Sequence, residues 1–508
     1  MSTIMNSSAA YILLVIFSAL MILVTTGASR KHLWQTAVGF MAAGRNVPWG
    51  LGAVSLAVTW IWAPALFISA QQAYQDGIAG IFWFTFPNII SLMIIAPLAI
   101  RIRAYLPTGY SQPEWIRRRY DAKTHKIYLA AFFWYQLMAV TIQLYAGGSI
   151  FVLLTGAKIE IVMAVLATAT LTYSIISGMR ASIITDFLQY GLVVLAAALV
   201  IPWTVHAAGG WSAVAGGLGG LTGQHASIFD PEIAFNFGIV TSMGLIAGSM
   251  MDQQNWQRAF TIEKKHLARA YVVSGLLFGI VPPAVSLLGF IGANHALGIT
   301  LPAGTDPSMI GVVVVRHFLP SWAVVAFILM LLGGLCSVLD SGMCAAGALF
   351  ALNCSKFSPA EQAMREKERL GQELGDEELC VREALDRKLV RRGRMAMVGV
   401  TLAGAAVSLA VLYAGLQLQY LWWIMNAVGM CVAAPTVLSL FWNRADSKGA
   451  FWGILTAFVI GVPLFIYSNL KGLIWLTVAS SVGMVFITLV FAWLFKRQDS
   501  FKPEDIRV

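Results

Sequence analysis

The stretch VPWGLGAVSLAVTWIWAPALFISAQQAYQDGIAG, from Val47 to Gly80, decides the fold of this chain. It is long and apolar enough to cross a bilayer, yet it carries a proline, Pro64, in its middle. Proline lacks an N–H and clashes with the preceding turn, so we expect the helix to open just before Pro64 and to leave the carbonyls of Val58 to Ile61 without helical partners. Free backbone at mid-membrane persists only where protein buries it or where it lines a polar cavity, so this break predicts a ligand site.

Two tryptophans, Trp60 and Trp62, flank the expected break. Residues two apart on a regular helix point about 200° away from each other, so both indoles border one pocket most easily if the segment is unwound. A planar solute would then fit between two flat indole rings. The alternative for each residue is packing against lipid or a neighbouring helix.

The composition identifies an integral membrane protein. Of the 508 residues, 58% are hydrophobic and only 11% are charged, and the mean hydropathy is +0.75. The net charge of +10 could indicate a nucleic-acid partner, but the basic residues are distributed unevenly along the predicted topology. All but three of them (Lys158, Arg316 and Lys471) fall on one side, which is the positive-inside pattern, so we expect the anionic inner leaflet and no nucleic acid as the partner of this charge.

Thirteen apolar segments are predicted to span the membrane. They cover residues 9–27, 48–74, 79–100, 127–154, 158–178, 183–206, 233–257, 270–292, 320–352, 395–414, 418–442, 449–469 and 472–495. An odd number of spans places the two termini on opposite sides. Basic clusters, such as Arg30 with Lys31 and Arg117 to Arg119, share one side only if the N-terminus is outside and the C-terminus inside a plasma or inner membrane.

A second interrupted span is expected between residues 233 and 258, where Gly244 and Gly248 precede Asp252. The second and seventh spans lie five apart, so they run in opposite directions. Two such spans predict an all-α polytopic fold with two five-helix units related by inversion, within one transmembrane domain over residues 1–508. The units would cover residues 48–206 and 233–442, and residues 355–394 would form a charged amphipathic hairpin on the cytoplasmic face.

The run DQQNWQR contains three candidate residues for a solute site. Asp252 could accept hydrogen bonds from amide or ammonium donors, Gln253 could both donate and accept, and Trp256 offers a stacking face. The alternative is a structural ion pair, in which Arg258 holds Asp252 or a lipid phosphate.

Carboxylates inside other spans are candidates for coupling to an ion. Asp340 lies about three helical turns from the inner end of its span, where a carboxyl group either binds a cation or is protonated. Ser337, three residues earlier, could share that site. Asp186 lies near the predicted start of the sixth span, where capping of a helix N-terminus competes with an ion site.

Several classes of protein are disfavoured by what the sequence lacks. No Walker motif accompanies the charged 355–394 loop, which argues against an ATP-driven pump. No Ser/His/Asp order, HExxH spacing or phosphate loop indicates an enzyme. The five cysteines have no paired spacing, so we expect free thiols, no metal site and no cofactor beyond a coupling Na⁺ or H⁺.

Three separated motifs resemble the sodium:solute symporter family. They are AAGRNVPWGLGAVSLAVTWIWA (Ala42 to Ala63), SGMRASIITDFLQ (Ser177 to Gln189) and DQQNWQRA (Asp252 to Ala259). The tryptophans of TWIWA, the following AYQDGIAGIFWF and the DQxxWQRA form are most similar to the urea/proton symporter branch. The resemblance implies the inverted-repeat fold and sodium ligation by the carbonyls of Val58 and Ile61.

In the ninth span, the sequence differs from the pattern of the family that it resembles. The positions of the family's adjacent serine pair match Gly333 and Gly334, and glycine supplies no side-chain oxygen to a hard cation. Either Asp340, Ser337 and Asp186 rebuild a cation site, or protons are coupled instead, or there is no coupling.

The sequence therefore predicts a secondary active transporter that imports a small polar nitrogen-containing solute, such as urea or a related amide or amine. A proton or sodium gradient would drive it. One alternative is a sodium-coupled symporter for an organic acid or an amino acid. An alternative from another class is a membrane sensor that uses a transporter-like domain, although no output module follows the last span.

Overall fold

A computed structural model of the chain describes residues 5–28 and 35–501, and within this part the backbone is almost entirely helical. Arg30, Lys31 and the tail from residue 502 lie outside the described residues. The helices are α1 (Ser7–Ala28), α2 (Ala37–Ala42), α3 (Trp49–Trp60), α4 (Ala63–Tyr105), α5 (Gln112–Arg119), α6 (Ala122–Thr155), α7 (Ile159–Ser177), α8 (Met179–Ala207), α9 (Trp211–Ala215), α10 (Pro231–Met251), α11 (Gln253–Thr261), α12 (Leu267–Phe278), α13 (Val281–Ala293), α14 (Ile310–Phe318), α15 (Ser321–Asn353), α16 (Pro359–Leu370), α17 (Asp376–Tyr413), α18 (Leu418–Phe441), α19 (Ser447–Leu470) and α20 (Ile474–Leu494).

Within the described residues, twelve helical segments are long and apolar enough to cross a membrane. One of them, α4, has 43 residues and would be about 65 Å long if straight, which is twice the thickness of a hydrocarbon core. Gly77 interrupts it with φ 60° and ψ −147°, so α4 turns back at this residue and supplies parts of two spans. This turn accounts for the difference between the twelve helices and the thirteen predicted spans.

The first predicted break is present and is confirmed at the expected place. Helix α3 ends at Trp60, Ile61 and Trp62 have non-helical ψ angles of 70° and 170°, and α4 begins at Ala63. The prediction left the Val58 carbonyl without a helical partner, but this carbonyl still accepts from the Ile61 N–H at 3.0 Å. The helix therefore opens one residue later than predicted. Gln143 of α6 stabilises the break, because its Oε1 accepts from the Ala63 N–H at 2.9 Å.

The second break is confirmed at a single residue, Asp252, between α10 and α11. Aspartate is a favourable helix N-cap, and here its Oδ1 accepts from the Gln254 N–H at 2.9 Å. The glycines before it do not break α10. Gly248 instead permits close packing on α18, since a Cβ at this position would lie 2.1 Å from Asn426 Oδ1.

The two broken helices contact each other, so both breaks lie in one region of the bundle. Helix α10 packs against α4, and α11 packs against both α3 and α4. Helix α15 lies beside this pair and packs against α6, α8 and α17. The breaks are therefore enclosed by long helices, which is the setting that unpaired backbone requires in a membrane.

Residues 359–394 form a helical hairpin outside the apolar spans. Helix α16 begins with a capping box between Ser358 and Glu361 and ends at Gly371, whose φ is 70°. Helix α17 then continues without interruption into a span. Four ion pairs among the described residues hold this hairpin together and against α5: Arg365–Glu114 at 2.7 Å, Lys388–Glu361 at 3.0 Å, Arg382–Glu368 at 3.1 Å and Lys367–Glu378 at 2.5 Å.

Candidate functional site

A small cavity lies beside the first break. It is lined by Trp60, Trp62, Pro64, Ala65, Phe84, Asn88, Tyr135, Leu245, Trp422, Met425 and Asn426. The volume open to the centre of a water-sized sphere is about 20 Å³. A single water needs roughly 10–15 Å³ by the same measure, so in this conformation the cavity admits only a very small occupant.

Five of the eleven lining residues are aromatic. Trp62 and Tyr135 meet edge to face with their ring centroids 5.3 Å apart, and Phe84 and Trp422 lie 5.7 Å apart. The Nε1 of Trp60 donates to Asn88 Oδ1 at 2.9 Å, which fixes that indole. Both predicted tryptophans therefore reach one pocket, as the unwound segment requires.

Two polar atoms of the cavity residues are not used in hydrogen bonds to described residues. The Trp62 Nε1 is buried and has no hydrogen-bond partner within the described residues. Asn426 donates its amide N–H to the Trp422 carbonyl at 3.0 Å, while no described residue donates to its Oδ1. The cavity thus offers one N–H donor and one amide oxygen acceptor, and all the described residues that line it are uncharged.

Asp252 lies next to this cavity without lining it. Its Oδ1 accepts from Gln136 Nε2 at 3.1 Å, and Gln136 follows the cavity residue Tyr135 on α6. Its Oδ2 is buried with no hydrogen-bond partner within the described residues. Asp252 therefore keeps one free carboxylate oxygen beside the cavity.

The structure places the other two predicted solute residues away from the cavity. Gln253 donates to the Tyr110 carbonyl at 2.9 Å and accepts from the Gln112 N–H at 3.4 Å, so it ties α11 to the segment before α5. Trp256 donates its Nε1 to the Met250 carbonyl at 2.8 Å and bridges the second break. Both contacts stabilise the backbone around the break.

A buried ion pair joins α11 to α8 outside the cavity lining. The Arg258 Nη2 donates to Asp186 Oδ2 at 2.8 Å, and neither side chain is exposed. The same guanidinium donates to Ser55 on α3 at 2.9 Å and to Ser341 on α15 at 2.8 Å. Asp186 also accepts from the hydroxyls of Ser55 and Ser337.

This geometry corrects two of the structural alternatives considered for the sequence. Arg258 pairs with Asp186 instead of holding Asp252 or a lipid phosphate. Asp186 does not cap a helix, because α8 begins at Met179, directly after the positive-φ residue Gly178, and Asp186 lies two turns inside it. Ser337 and Asp186 are brought together as the coupling prediction requires.

Asp340 is surrounded by hydroxyl groups. It accepts from Ser182 at 2.7 Å, from Tyr173 at 2.9 Å and from Thr185 at 3.2 Å. Ser341 bridges this shell to the ion pair, because its Oγ lies 2.9 Å from Ser182 Oγ and also accepts from Arg258. Asp340, Asp186 and Arg258 thus form one network, and none of the three is exposed.

The formal charge of this network is not balanced. Two carboxylates and one guanidinium sum to one negative charge when all three groups are ionised, and a net charge is costly to bury. One proton or one monovalent cation would neutralise it. Within the described residues there is no cluster of three or more His, Cys, Asp or Glu side chains that could hold a metal ion.

The carbonyl-based ion site implied by Val58 and Ile61 lies against α15. A Cβ at Gly334 would be 3.4 Å from the Ile61 carbonyl oxygen, so this position of α15 faces the break but supplies no side-chain ligand. The nearest hydroxyl on the same helix face, one turn on, belongs to Ser337, and it donates to Asp186. The Ser337 hydroxyl is therefore directed to the Asp186 carboxylate.

The side chains that sequence reasoning missed are Arg258, Tyr135, Asn88 and Asn426. The sequence predicts for Arg258 only a structural contact with Asp252 or a lipid phosphate. Its burial depends on α11 packing against α3 and α15, which no local pattern shows. The others are common residues in spans, and only the packing of α4, α6 and α18 around the break brings them together.

The sequence is similar to that of known membrane transporters. The profile of the sodium:solute symporter family matches residues 40–373 and 379–457. The chain is 23% identical to the urea active transporter of Saccharomyces cerevisiae over 452 residues, which are 84% of this chain and 58% of the relative. It is 22% identical to a urea-proton symporter of Oryza sativa subsp. japonica, covering 88% of this chain and 61% of the relative. The chain thus spans about three fifths of the length of these relatives.

The fold also matches solved structures. A Na⁺-coupled sialic acid symporter in a substrate-bound outward-open state aligns with a TM-score of 0.71 at 16% identity, over 96% of this chain and 99% of that one. A transporter of the nucleobase-cation-symport-1 family aligns with a TM-score of 0.52 at 11% identity, over 89% of this chain. The fold is therefore the all-α, 5+5 inverted-repeat fold of amino-acid and sodium symporters. Because the family profile covers most of its length, the chain belongs to the sodium:solute symporter family.

Proposed function

We propose that this chain is a secondary active transporter that imports a small, neutral, planar solute of the urea and amide class in symport with one proton. The observation that carries the solute class is the uncharged cavity, in which the Trp62 N–H has no hydrogen-bond partner among the described residues and the side-chain amide of Asn426 forms part of the wall. The observation that carries the coupling is the network of Asp340, Asp186 and Arg258 with one unbalanced negative charge.

The chemistry of urea or a simple amide complements the cavity. Its carbonyl oxygen can accept from the Trp62 N–H, and its N–H groups can donate to Asn426 Oδ1 and toward the faces of the rings. Its flat shape suits a cavity whose wall includes the indoles of Trp60 and Trp62. The small free volume favours a solute of few heavy atoms, with further space gained when the bundle opens.

An organic acid or an amino acid is less well served by the same cavity. A carboxylate substrate calls for a cation or an exposed half-helix N-terminus beside it. The Ala63 N–H, which begins the second half of the first broken helix, is already bonded to Gln143. Arg258, the buried arginine of the second broken helix, is engaged by Asp186 and two serines.

The charged network joins the broken helices to the surrounding helices. Ser55 and Arg258 belong to the two broken helices, whereas Asp186 and Ser341 belong to α8 and α15. Alternating access by rocking one bundle against the other would have to break or remake these contacts. A proton that binds Asp340 would change the charge of the network and so bias the contacts between the two bundles.

The transport claim is tested by uptake of labelled solutes into proteoliposomes. We expect urea or a related amide to accumulate above its outside concentration when an inward proton gradient is imposed. No flux under any gradient, for any solute in a broad panel, would contradict transport and would leave the membrane-sensor alternative. Accumulation of an acid or an amino acid instead would contradict the solute class alone.

A further inference from the structure

A second groove lies on the surface at the boundary between the charged and apolar halves of α17. It is lined by Gln35, Ile175, Arg387, Val390, Arg391, Arg394, Met395 and Val398, and its volume is about 570 Å³. Ligand pockets typically measure roughly 300–1,000 Å³, so the groove is large enough for a lipid headgroup. It lies away from the cavity at the helix breaks, and no residue lines both.

Three arginines follow one face of α17 along this groove. Arg387, Arg391 and Arg394 are spaced by four and three residues, which places them one above another on a helix. Arg394 is anchored, since it donates to the carbonyls of Ile175 at 2.9 Å and Ile176 at 3.3 Å at the end of α7. Arg387 and Arg391 are exposed and make no ion pair or hydrogen bond with the described residues.

The basic residues on the neighbouring side of the same helix are engaged within the chain. Lys388 pairs with Glu361 at 3.0 Å, and Arg392 donates to Ser355 at 2.9 Å. In contrast, none of the described residues that line the groove is acidic. The described residues therefore leave the positive charge of the groove without an acidic partner.

Apolar residues continue the groove into the membrane. Met395 and Val398 lie one turn and two turns beyond Arg391 on the same face, and Leu402 follows one turn later. Met395 is 59% exposed and Leu402 is 67% exposed, so this stripe faces the lipid. Basic pockets directly above an apolar, lipid-facing stripe suit a molecule with an anionic head and hydrocarbon chains.

We propose that this groove binds the headgroup of an anionic phospholipid from the adjoining leaflet, with its chains along Met395, Val398 and Leu402. The bound lipid would brace the turn between α7 and α8, because Arg394 holds the last carbonyls of α7. The proposal is independent of the transported solute.

The test is lipid binding to the purified full-length protein, measured by native mass spectrometry with phosphatidylglycerol and phosphatidylcholine in competition. We expect selective retention of phosphatidylglycerol. Because each arginine near an anionic headgroup contributes about fivefold in affinity, Arg387→Gln with Arg391→Gln should weaken binding by about 25-fold. The charge-conserving pair Arg387→Lys with Arg391→Lys should keep most of it.

The matched control is Lys264→Gln with Lys265→Gln, a basic pair that does not line the groove. It should bind phosphatidylglycerol as the wild type does. Equal binding by the Arg387 and Arg391 glutamine variant would overturn the proposal. So would binding of glycerol phosphate as tight as that of phosphatidylglycerol, because the site would then be one for a soluble anion.

Discussion

Arg258 and Asp186 form an ion pair 2.8 Å long that links the second broken helix to α8, with neither side chain exposed. Such a pair is weak as a source of stability, because removing two charges from water costs about as much as their attraction returns. Because the pair joins a broken helix to α8, and Arg258 also bonds Ser55 and Ser341, we propose that it couples the movement of these helices.

The first prediction concerns this pair. Arg258→Gln leaves two buried carboxylates without a positive charge and should lower the free energy of unfolding by roughly 3–5 kcal/mol. Asp186→Asn should cost less, because the guanidinium keeps Ser55, Ser341 and the Asp340 charge nearby. The measurement is thermal unfolding of the purified variants in detergent.

The double variant is the control for charge. Arg258→Gln with Asp186→Asn restores a net charge of minus one and should recover much of the stability that Arg258→Gln loses. Additive losses in the double variant would show that the two residues do not act as a pair.

The second prediction concerns the proton. Asp340→Asn keeps the size of the side chain but removes the group that we propose to bind the proton. We expect accumulation driven by a pH gradient to be lost, while exchange of labelled for unlabelled solute persists. An Asp340→Asn protein that still accumulates solute against a gradient would show that the proton binds elsewhere.

The third prediction concerns the free indole N–H of the cavity. Trp62→Phe removes one donor and keeps an aromatic ring, so the half-saturating solute concentration should rise about fivefold, the equivalent of ~1 kcal/mol for a hydrogen bond. The measurement is the concentration dependence of uptake.

Trp134→Phe is the matched control for the cavity. The Trp134 Nε1 is also buried without a hydrogen-bond partner within the described residues, but this indole lines a separate apolar groove near α18 and α19. It should leave the half-saturating concentration unchanged. Equal effects of the two substitutions would remove Trp62 from the solute site.

The fourth prediction concerns the close approach of α10 and α18. Gly248→Ala would place a Cβ 2.1 Å from Asn426 Oδ1, so the asparagine must move. We expect a loss of about 1–3 kcal/mol in stability, as for other overpacked sites, together with weaker solute binding. Gly191→Ala, where no atom lies within 4 Å of the added Cβ, should change neither.

The breaks were predictable because they depend on local chemistry. Pro64 cannot continue a helix through its own N–H, and Asp252 is a side chain that caps a new one, so each position is marked in the sequence itself. The glycines of α10 were a weaker guide. Gly244 and Gly248 serve packing on α18, and a glycine in a span indicates close approach as readily as a break.

The partners across the bundle were not predictable from one sequence. Asp186, Ser337 and Asp340 could be selected because polar side chains are rare in spans. Their connection through Arg258 and Ser341 depends on how α3, α8, α11 and α15 cross, which is set by packing along their whole length. Gln253 and Trp256 were selected in the same way, but their side chains bond the backbone near the second break. A polar or aromatic side chain beside a break can therefore stabilise the break without binding a solute.

Proton-coupled solute transport is tested most directly by uptake of labelled urea into proteoliposomes, with proton and sodium gradients imposed separately. We predict accumulation under an inward proton gradient without sodium, and none under a sodium gradient at equal pH. Accumulation that follows sodium and ignores pH would contradict the proposal that a proton completes the network of Asp340, Asp186 and Arg258.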